Sequence, residues 1–295
     1  ECGSPYLDRV GCLQSSNTAV GVPRRLTREL DFVAALTPID VKPLEGRAGI
    51  TLSRSPGNRW MALQIRMDKP PLNNPKLRQA MAYAIDRQRI VDIVMNGKAD
   101  IAEGPTPPGL WWFDPALKAY PYDPAKARAL LAGSGVGPAV ARVLSSGSAA
   151  INQQVSQLAQ EQLRAIGLKV RVEPVSISDW YPQLLNGVIN FLPIRWSQRP
   201  DPDGLFTYLY HSKSGHNSSR YLNPELDALL DKARALEDRG ARRELYKEAQ
   251  AMIVRDLPYI YLFHSIEFAA MRDDVRNYVW IPDEIPRFRE VWKAR

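Results

Sequence analysis

Apolar residues recur at two different periods along this chain, and the switches between those periods mark out its elements. In residues 74–97, Leu77, Met81, Ala84, Ile85, Val91 and Val94 fall at helical spacing. Asn74 suits the N-cap, Pro75 the first helical position and Gly97 the C-terminal stop, so the spacing predicts one helix here. An aromatic, proline-rich loop follows, and a second helix is expected between the cap Asp123, with Pro124 behind it, and Gly133. Upstream, residues 58–67 (NRWMALQIRM) read as a buried strand whose alternation groups Arg66 with Gln64 and Ala62, opposite Leu63 and Ile65.

Helix and strand then alternate. Residues 149–166 carry Ile151, Val155, Leu158, Leu163 and Ile166 on one helical face, with Gly167 as the stop. Residues 168–175 alternate as a strand, Ser178 is expected to cap the next helix, and residues 189–196 form an apolar strand. Asn223 and Pro224 open a further helix, another covers about residues 241–255, and residues 259–264 form a last strand. This order predicts an α/β or mixed α+β lobe around a mixed sheet.

The chain has 295 residues, enough for one large domain or two smaller ones. Its hydrophobic share of 45% and charged share of 24% argue against disorder. No apolar run approaches the ~18 residues that span a bilayer. The first residues, ECGSPYLDRV, show no basic-then-apolar leader. The net charge of +7 is scattered through sign-alternating helices such as DALLDKARALEDRGARRELYKE, which reads as a solvated surface and not as a nucleic-acid face. Cys2 and Cys12 either close a small disulfide loop or stay as thiols.

Three stretches carry a family resemblance. RQAMAYAIDRQRIV with GPTPPG and YPYDPAKARALL, then RWSQRPDPDGLFTYLYHSKSGHNSSRYLNPELDALLDKARA, then residues 243–264 ending DLPYIYLFH, resemble the extracytoplasmic solute-binding proteins of peptide-type ABC transporters. The resemblance implies a type II periplasmic-binding-protein-like lobe with a mixed sheet flanked by helices, plus partial segments of a first lobe. On this basis residues 1–62 are a partial first-lobe segment, 63–263 the second lobe, and 264–295 a return to the first lobe. Residues 11–25 match least and are expected to be irregular. The family binds solutes in a cleft between lobes that close by a hinge. A chain that begins inside the first lobe is expected to expose apolar surface and to self-associate through it.

Catalysis finds no support in the residues. His211, His216 and His264 lack the spacing of a zinc hydrolase, and no phosphate loop or nucleophile elbow is present. His211 and His216 flank a Ser/Gly-rich loop as exposed side chains without a role, or else meet on a surface metal. No metal, cofactor or nucleic acid is expected.

The candidate ligand-binding residues are Arg66, Trp111, Trp112, Arg195, Trp196, Gln198, Arg199 and Asp201. In peptide binders of the family a carboxylate a few positions after the tryptophan holds the ligand's ammonium; here Gln198 or Arg199 stands there, and Asp201 and Asp203 match a structural Asp-Pro-Asp turn instead. Arg66, Arg195 and Arg199 favour an anionic ligand if they converge, since guanidinium forks pair with carboxylates or phosphates, and are otherwise surface or ion-pair residues. Trp111 and Trp112 close over a ligand edge or pack their loop; Trp180 is core or cleft. The expected function is the solute-binding component of an ABC importer, taking a short peptide or an anionic or modified small molecule to a membrane permease. The alternative is a second-lobe fragment that binds no solute and acts through macromolecular contacts.

Overall fold

The computed structural model describes residues 6–12, 30–36, 38–136, 140–146, 150–281 and 285–294. Its strands are β1 (Phe32–Leu36), β2 (Ile50–Ile65), β3 (Ala99–Ile101), β4 (Val140–Ser146), β5 (Lys169–Val175), β6 (Phe191–Ser197), β7 (Tyr259–Arg272), β8 (Val275–Arg276) and β9 (Trp292–Lys293). Its helices are α1 (Pro38–Val41), α2 (Pro75–Ala84), α3 (Arg87–Val94), α4 (Pro124–Ala132), α5 (Ala150–Ala165), α6 (Ile177–Leu185), α7 (Asp203–Tyr210), α8 (Pro224–Ala235) and α9 (Arg239–Asp256). The chain divides into a larger unit, Arg59–His264, and a smaller one made of Glu1–Asn58 and Ser265–Arg295. It passes from one to the other inside β2 and again inside β7.

In the larger unit the strand order is β7-β2-β6-β4-β5, with β3 also on β7. β2 and β6 are antiparallel, while β4 is parallel to both β5 and β6, so the sheet is mixed. Strand alternation divides the core in two. Met61, Leu63 and Ile65 of β2 pack with Leu77 and Met81 of α2, Ile90 of α3 and Val155 and Leu163 of α5. Trp60 and Ala62 face the other way, onto Phe206 and Tyr210 of α7, Leu226 and Leu230 of α8 and Tyr246 and Ile253 of α9. Helices thus cover both faces of the sheet, the α/β arrangement that the alternation predicts.

Most helix starts follow their capping residues. Asn74 accepts from the N–H groups of Lys76 and Leu77, Asp123 from Lys126, and Asn223 from Glu225 and Leu226. Each such cap is worth about 1 kcal/mol. The single helix expected over 74–97 is instead two, because the Asp86 side chain accepts from the Arg89 N–H and starts α3 afresh. Gly97 does take the left-handed conformation, at φ 71°. The cap of α6 is Ser176, not Ser178: its hydroxyl accepts from the Asp179 N–H at 3.2 Å. PDPDG, read as a turn, leads directly into α7, and β7 continues eight residues beyond His264.

In the smaller unit β1 runs antiparallel to the end of β7, pairing Phe32 with Met271 and Leu36 with Phe268. Leu36, Val41, Leu44, Ile266 and Phe268 form one small core; Met271, Val275 and Val291 form another, with Phe32 edge-on to Phe288. Cys12 is exposed, while Cys2 and the expected irregular stretch at 13–25 lie outside the described residues.

Candidate functional site

β6 carries the site because of where it ends. Its register sets Trp196 beside Trp60 and Ser197 beside Arg59, so its C-terminus lies where the chain leaves the larger unit through β2. Pro200, which has no N–H to donate, follows shortly after the strand. Asp201 then accepts the Asp203 N–H at 2.9 Å, and α7 begins.

Five aromatic side chains from four segments meet here. Trp196 of β6 stands edge-on to Tyr208 of α7, with centroids 5.8 Å apart. Tyr208 stacks on His216 of the following loop at 4.1 Å and 17°. His216 Nδ1 lies 2.7 Å from the Tyr181 hydroxyl of α6, and Tyr181 stacks on Trp180 at 5.9 Å. Burial, then the Tyr208 hydroxyl beside it, pushes the Tyr181 phenol up to about 12, so it stays protonated at neutral pH. His216 is exposed and the other four rings are half-buried, which leaves an aromatic shelf partly open to solvent.

Buried polar atoms without a hydrogen-bond partner among the described residues include Trp180 Nε1 and Trp196 Nε1 in the shelf, Gln198 Oε1 just past it along the chain, and Thr106 Oγ1. Gln198 is 4% exposed and its amide N–H donates to the Pro105 carbonyl, which brings the 104–108 loop, with Thr106, to the end of β6. Unpaired polar atoms at such depth cost about 1–3 kcal/mol each, so this end of β6 is predisposed toward a polar partner. They comprise two indole donors, an acceptor and a hydroxyl that can be either, a set that suits an amide-like group.

The loop beneath His216 is rigidly braced. Asn217 accepts from the Tyr221 N–H and donates to the Tyr221 carbonyl, Ser214 Oγ donates to the Tyr208 carbonyl, and Gln64 Nε2 donates to Ser218 Oγ at 3.0 Å. Asn217, Ser218 and Ser219 are buried. Pre-ordering of this kind lowers the entropic cost of binding.

The remaining expected residues fall elsewhere. Asp201 takes a two-pronged ion pair from Arg242, both bonds at 2.8 Å, and is structural. Trp112 is fully buried, and Trp111 packs against it beneath Arg239 and Arg242, whose guanidinium carbons stand 4.8 and 5.6 Å above the ring; both tryptophans thus fasten their loop to α9. The three arginines do not converge. Arg66 is buried and bonded to Asp68 at 2.7 and 3.0 Å, and its N–H donates to Asn190, which keeps it on the side of Gln64. Arg195 pairs across from Met61 and so points to the opposite face of the sheet. Arg199 is exposed and lays its stem over Gly204. The histidines do not meet either: His211 is buried, not exposed, beside Asp227 and Asp231, whereas His216 belongs to the shelf. No cluster of three or more metal-ligating side chains occurs among the described residues.

The sequence reading missed Tyr208 and Tyr181 because their meeting with His216 joins residues far apart in the chain. The one advance signal was the density of Trp, Tyr and His between residues 180 and 216.

Comparison with known proteins converges on one family. The model of bacterial extracellular solute-binding proteins, family 5 (middle region), matches residues 2–217. The chain is 28% identical over 297 residues to di/tripeptide-binding protein 2 of Pseudomonas aeruginosa (strain UCBPP-PA14), covering 98% of this chain and 56% of that protein. It is 29% identical over 265 residues to heme-binding protein A of Haemophilus influenzae, covering 85% and 48%. Among solved structures, HbpA2 from Haemophilus parasuis superposes with a TM-score of 0.86 at 24% identity, over 92% of this chain and 55% of that one. The dipeptide-binding protein of Pseudoalteromonas sp. SM9913, in complex with Met-Leu, gives 0.76 at 26% identity, over 92% and 56%. The chain therefore spans about half the length of the relatives it matches. By the extent of the matched region, it belongs to the bacterial extracellular solute-binding proteins, family 5.

Proposed function

We propose that residues 59–264 form one ligand-facing lobe of an extracytoplasmic solute-binding protein. It captures a small solute, a short peptide or an anionic small molecule, and delivers it to an ABC permease. The observation that carries this reading is the end of β6, where an open aromatic shelf adjoins buried polar atoms that lack partners. Relatives named as di/tripeptide- and heme-binding proteins support the same class of role. Binding proceeds without covalent chemistry: a solute stacks on Trp196 and its neighbours, satisfies Gln198 and Thr106, and favours the closed form that a permease recognises. Self-association belongs to the same proposal. Val279, Ile281, Ile285 and Trp292 of the smaller unit are exposed, and a strictly monomeric species by light scattering would count against it.

The test is a thermal-shift panel of short peptides, dicarboxylates and phosphorylated sugars. A bound solute at a hundredfold its dissociation constant stabilises the chain by about 2.7 kcal/mol. The expected result is a dose-dependent rise with one class that Trp196→Ala removes. No rise with any class would overturn independent solute binding by this chain and favour a fragment that acts through macromolecular contacts.

A further inference from the structure

A groove of about 590 Å³ lies between α7, α8 and the loop that joins them, within the range of small-ligand sites. Its charges are unequal in their pairing. Arg234 of α8 holds Asp203 at 3.2 and 3.3 Å and donates to Thr207 Oγ at 2.8 Å, and Thr207 donates to Asp203 at 2.6 Å, so that trio is satisfied internally. Two other lining charges are held less fully. Lys213 is exposed, and its ammonium makes no ion pair among the described residues. The half-exposed Asp231 has only longer contacts, 3.4 Å to His211 Nε2 and 3.7 Å to Arg234.

One imidazole touches both residues that carry these charges. His211 is 6% exposed, and its Nδ1 accepts the Lys213 backbone N–H at 3.1 Å, which leaves the ring proton on Nε2, the nitrogen that faces Asp231. The Lys213 backbone and the Asp231 carboxylate are therefore set at the two nitrogens of a single buried ring. Tyr208 gives the groove its aromatic wall, and stacking on His216 fixes that ring. Ser214, whose hydroxyl donates to the Tyr208 carbonyl, braces the loop that presents Lys213.

We propose that this groove is a second binding site, adjoining the shelf, for a small zwitterion, an amino acid or the free ends of a short peptide. The ligand's ammonium sits on Asp231, its carboxylate on Lys213, and its apolar portion against Tyr208. The groove meets the shelf at Tyr208, which stands edge-on to Trp196, but neither Trp196 nor Gln198 lines it.

The test is calorimetric titration of the full chain with the dipeptide Ala-Phe, its N-acetyl form and its C-terminal amide. Each blocked form is expected to bind about tenfold more weakly than Ala-Phe, the loss of one charge-assisted contact. Lys213→Glu is expected to restore nothing to the amide and to abolish Ala-Phe binding, and Asp231→Asn to weaken Ala-Phe about tenfold, with unfolding midpoints unchanged. No heat with Ala-Phe at millimolar concentration would overturn the proposal. So would binding that both groove variants retain: if Trp196→Ala then abolishes it, the peptide occupies the β6 end, and the solute-binding reading stands without the groove.

Discussion

The two faces of the larger unit's sheet are built from different chemistry. Below the odd-numbered residues of β2 the core is mainly aliphatic, with Phe191 and Phe263 as its buried aromatic members. Below the even-numbered residues, Trp60, Trp112, Phe206, Tyr210, Tyr221, Tyr246, Tyr259 and Tyr261 are all buried. An aliphatic core gains its stability from close packing alone. An aromatic one adds hydroxyl and indole groups; those of Tyr210, Tyr221 and Tyr261 find partners, while Trp60 Nε1, Trp112 Nε1 and the Tyr246 and Tyr259 hydroxyls have none among the described residues. The shelf of Trp196, Tyr208 and Tyr181 borders this second face. The candidate site is thus an outward extension of the aromatic core.

Neighbouring residues on one strand test this division. Trp60 packs edge-on between Tyr259 and Tyr261, at 5.4 and 5.2 Å, while Met61 beside it points into the aliphatic core. Trp60→Ala is expected to cost about 4 kcal/mol and Met61→Ala about 3 kcal/mol in urea unfolding. Only the first should also blunt any solute-induced thermal shift. Equal loss of the shift in both, at temperatures where both are folded, would erase the distinction.

The next effect is pH-dependent. His264 is 3% exposed, and burial pulls its imidazole down to about 3. An unfolded histidine takes up its proton near pH 6.5, so the unfolded state binds more protons between pH 6.5 and about 3, and stability falls as pH drops through that window. From pH 7 to pH 5 the loss attributable to this residue is about 2 kcal/mol. His264→Gln should flatten that slope in urea unfolding at the two pH values; an unchanged slope would assign it to other groups.

A smaller effect tests the polar pairing that the aromatic face does contain. Tyr210 and Tyr261 share a buried hydroxyl–hydroxyl hydrogen bond at 2.7 Å. Either single change to Phe leaves one hydroxyl unpaired and should cost about 1–2 kcal/mol, whereas the double change should cost less than the sum of the two. Additive costs in a double-mutant cycle would mean that the hydroxyls act independently. The smallest effect is at Asp201, whose carboxyl is held below its usual range chiefly by the hydrogen bond from Arg242. Asp201→Asn should cost about 1 kcal/mol at pH 7. The ion pair's contribution is complete above the ordinary aspartate range and disappears as pH falls through the lowered value. Unfolding midpoints of the two proteins should therefore converge in acid.

How much of this the sequence discloses follows from the range of the forces involved. Asn74, Asp123 and Asn223 mark helix starts because a cap acts on N–H groups two or three residues away. The alternation of β2 foretells both cores, since strand geometry alone assigns its faces. The break at Asp86 is hidden because Leu77 through Val94 keep helical spacing across it. α7 is hidden because Asp-Pro-Asp-Gly is turn chemistry, and only the hydrogen bonds of Asp201 and Thr207 show that the turn winds on into a helix. Within the site, Trp196 and Gln198 could be placed as the end of a strand. The partnership of Tyr181, Tyr208 and His216 could not, because it joins side chains from three segments. The arginines misled because residue type carries no direction: adjoining register positions sent Arg195 and Trp196 to opposite faces.

The ion pair of buried Arg66 with Asp68 has a further bearing on how this sequence can drift, through the glycine packed against it, Gly187. A Cβ at that position would lie 2.2 Å from Arg66 Nη1, and its φ of 73° already disfavours any side chain. Arg66, gripped by Asp68, has little freedom to yield. The two positions are therefore expected to have a joint history. Lineages that keep the arginine should keep the glycine, and any relative that has gained a side chain at the position of Gly187 should already have lost the guanidinium at the position of Arg66.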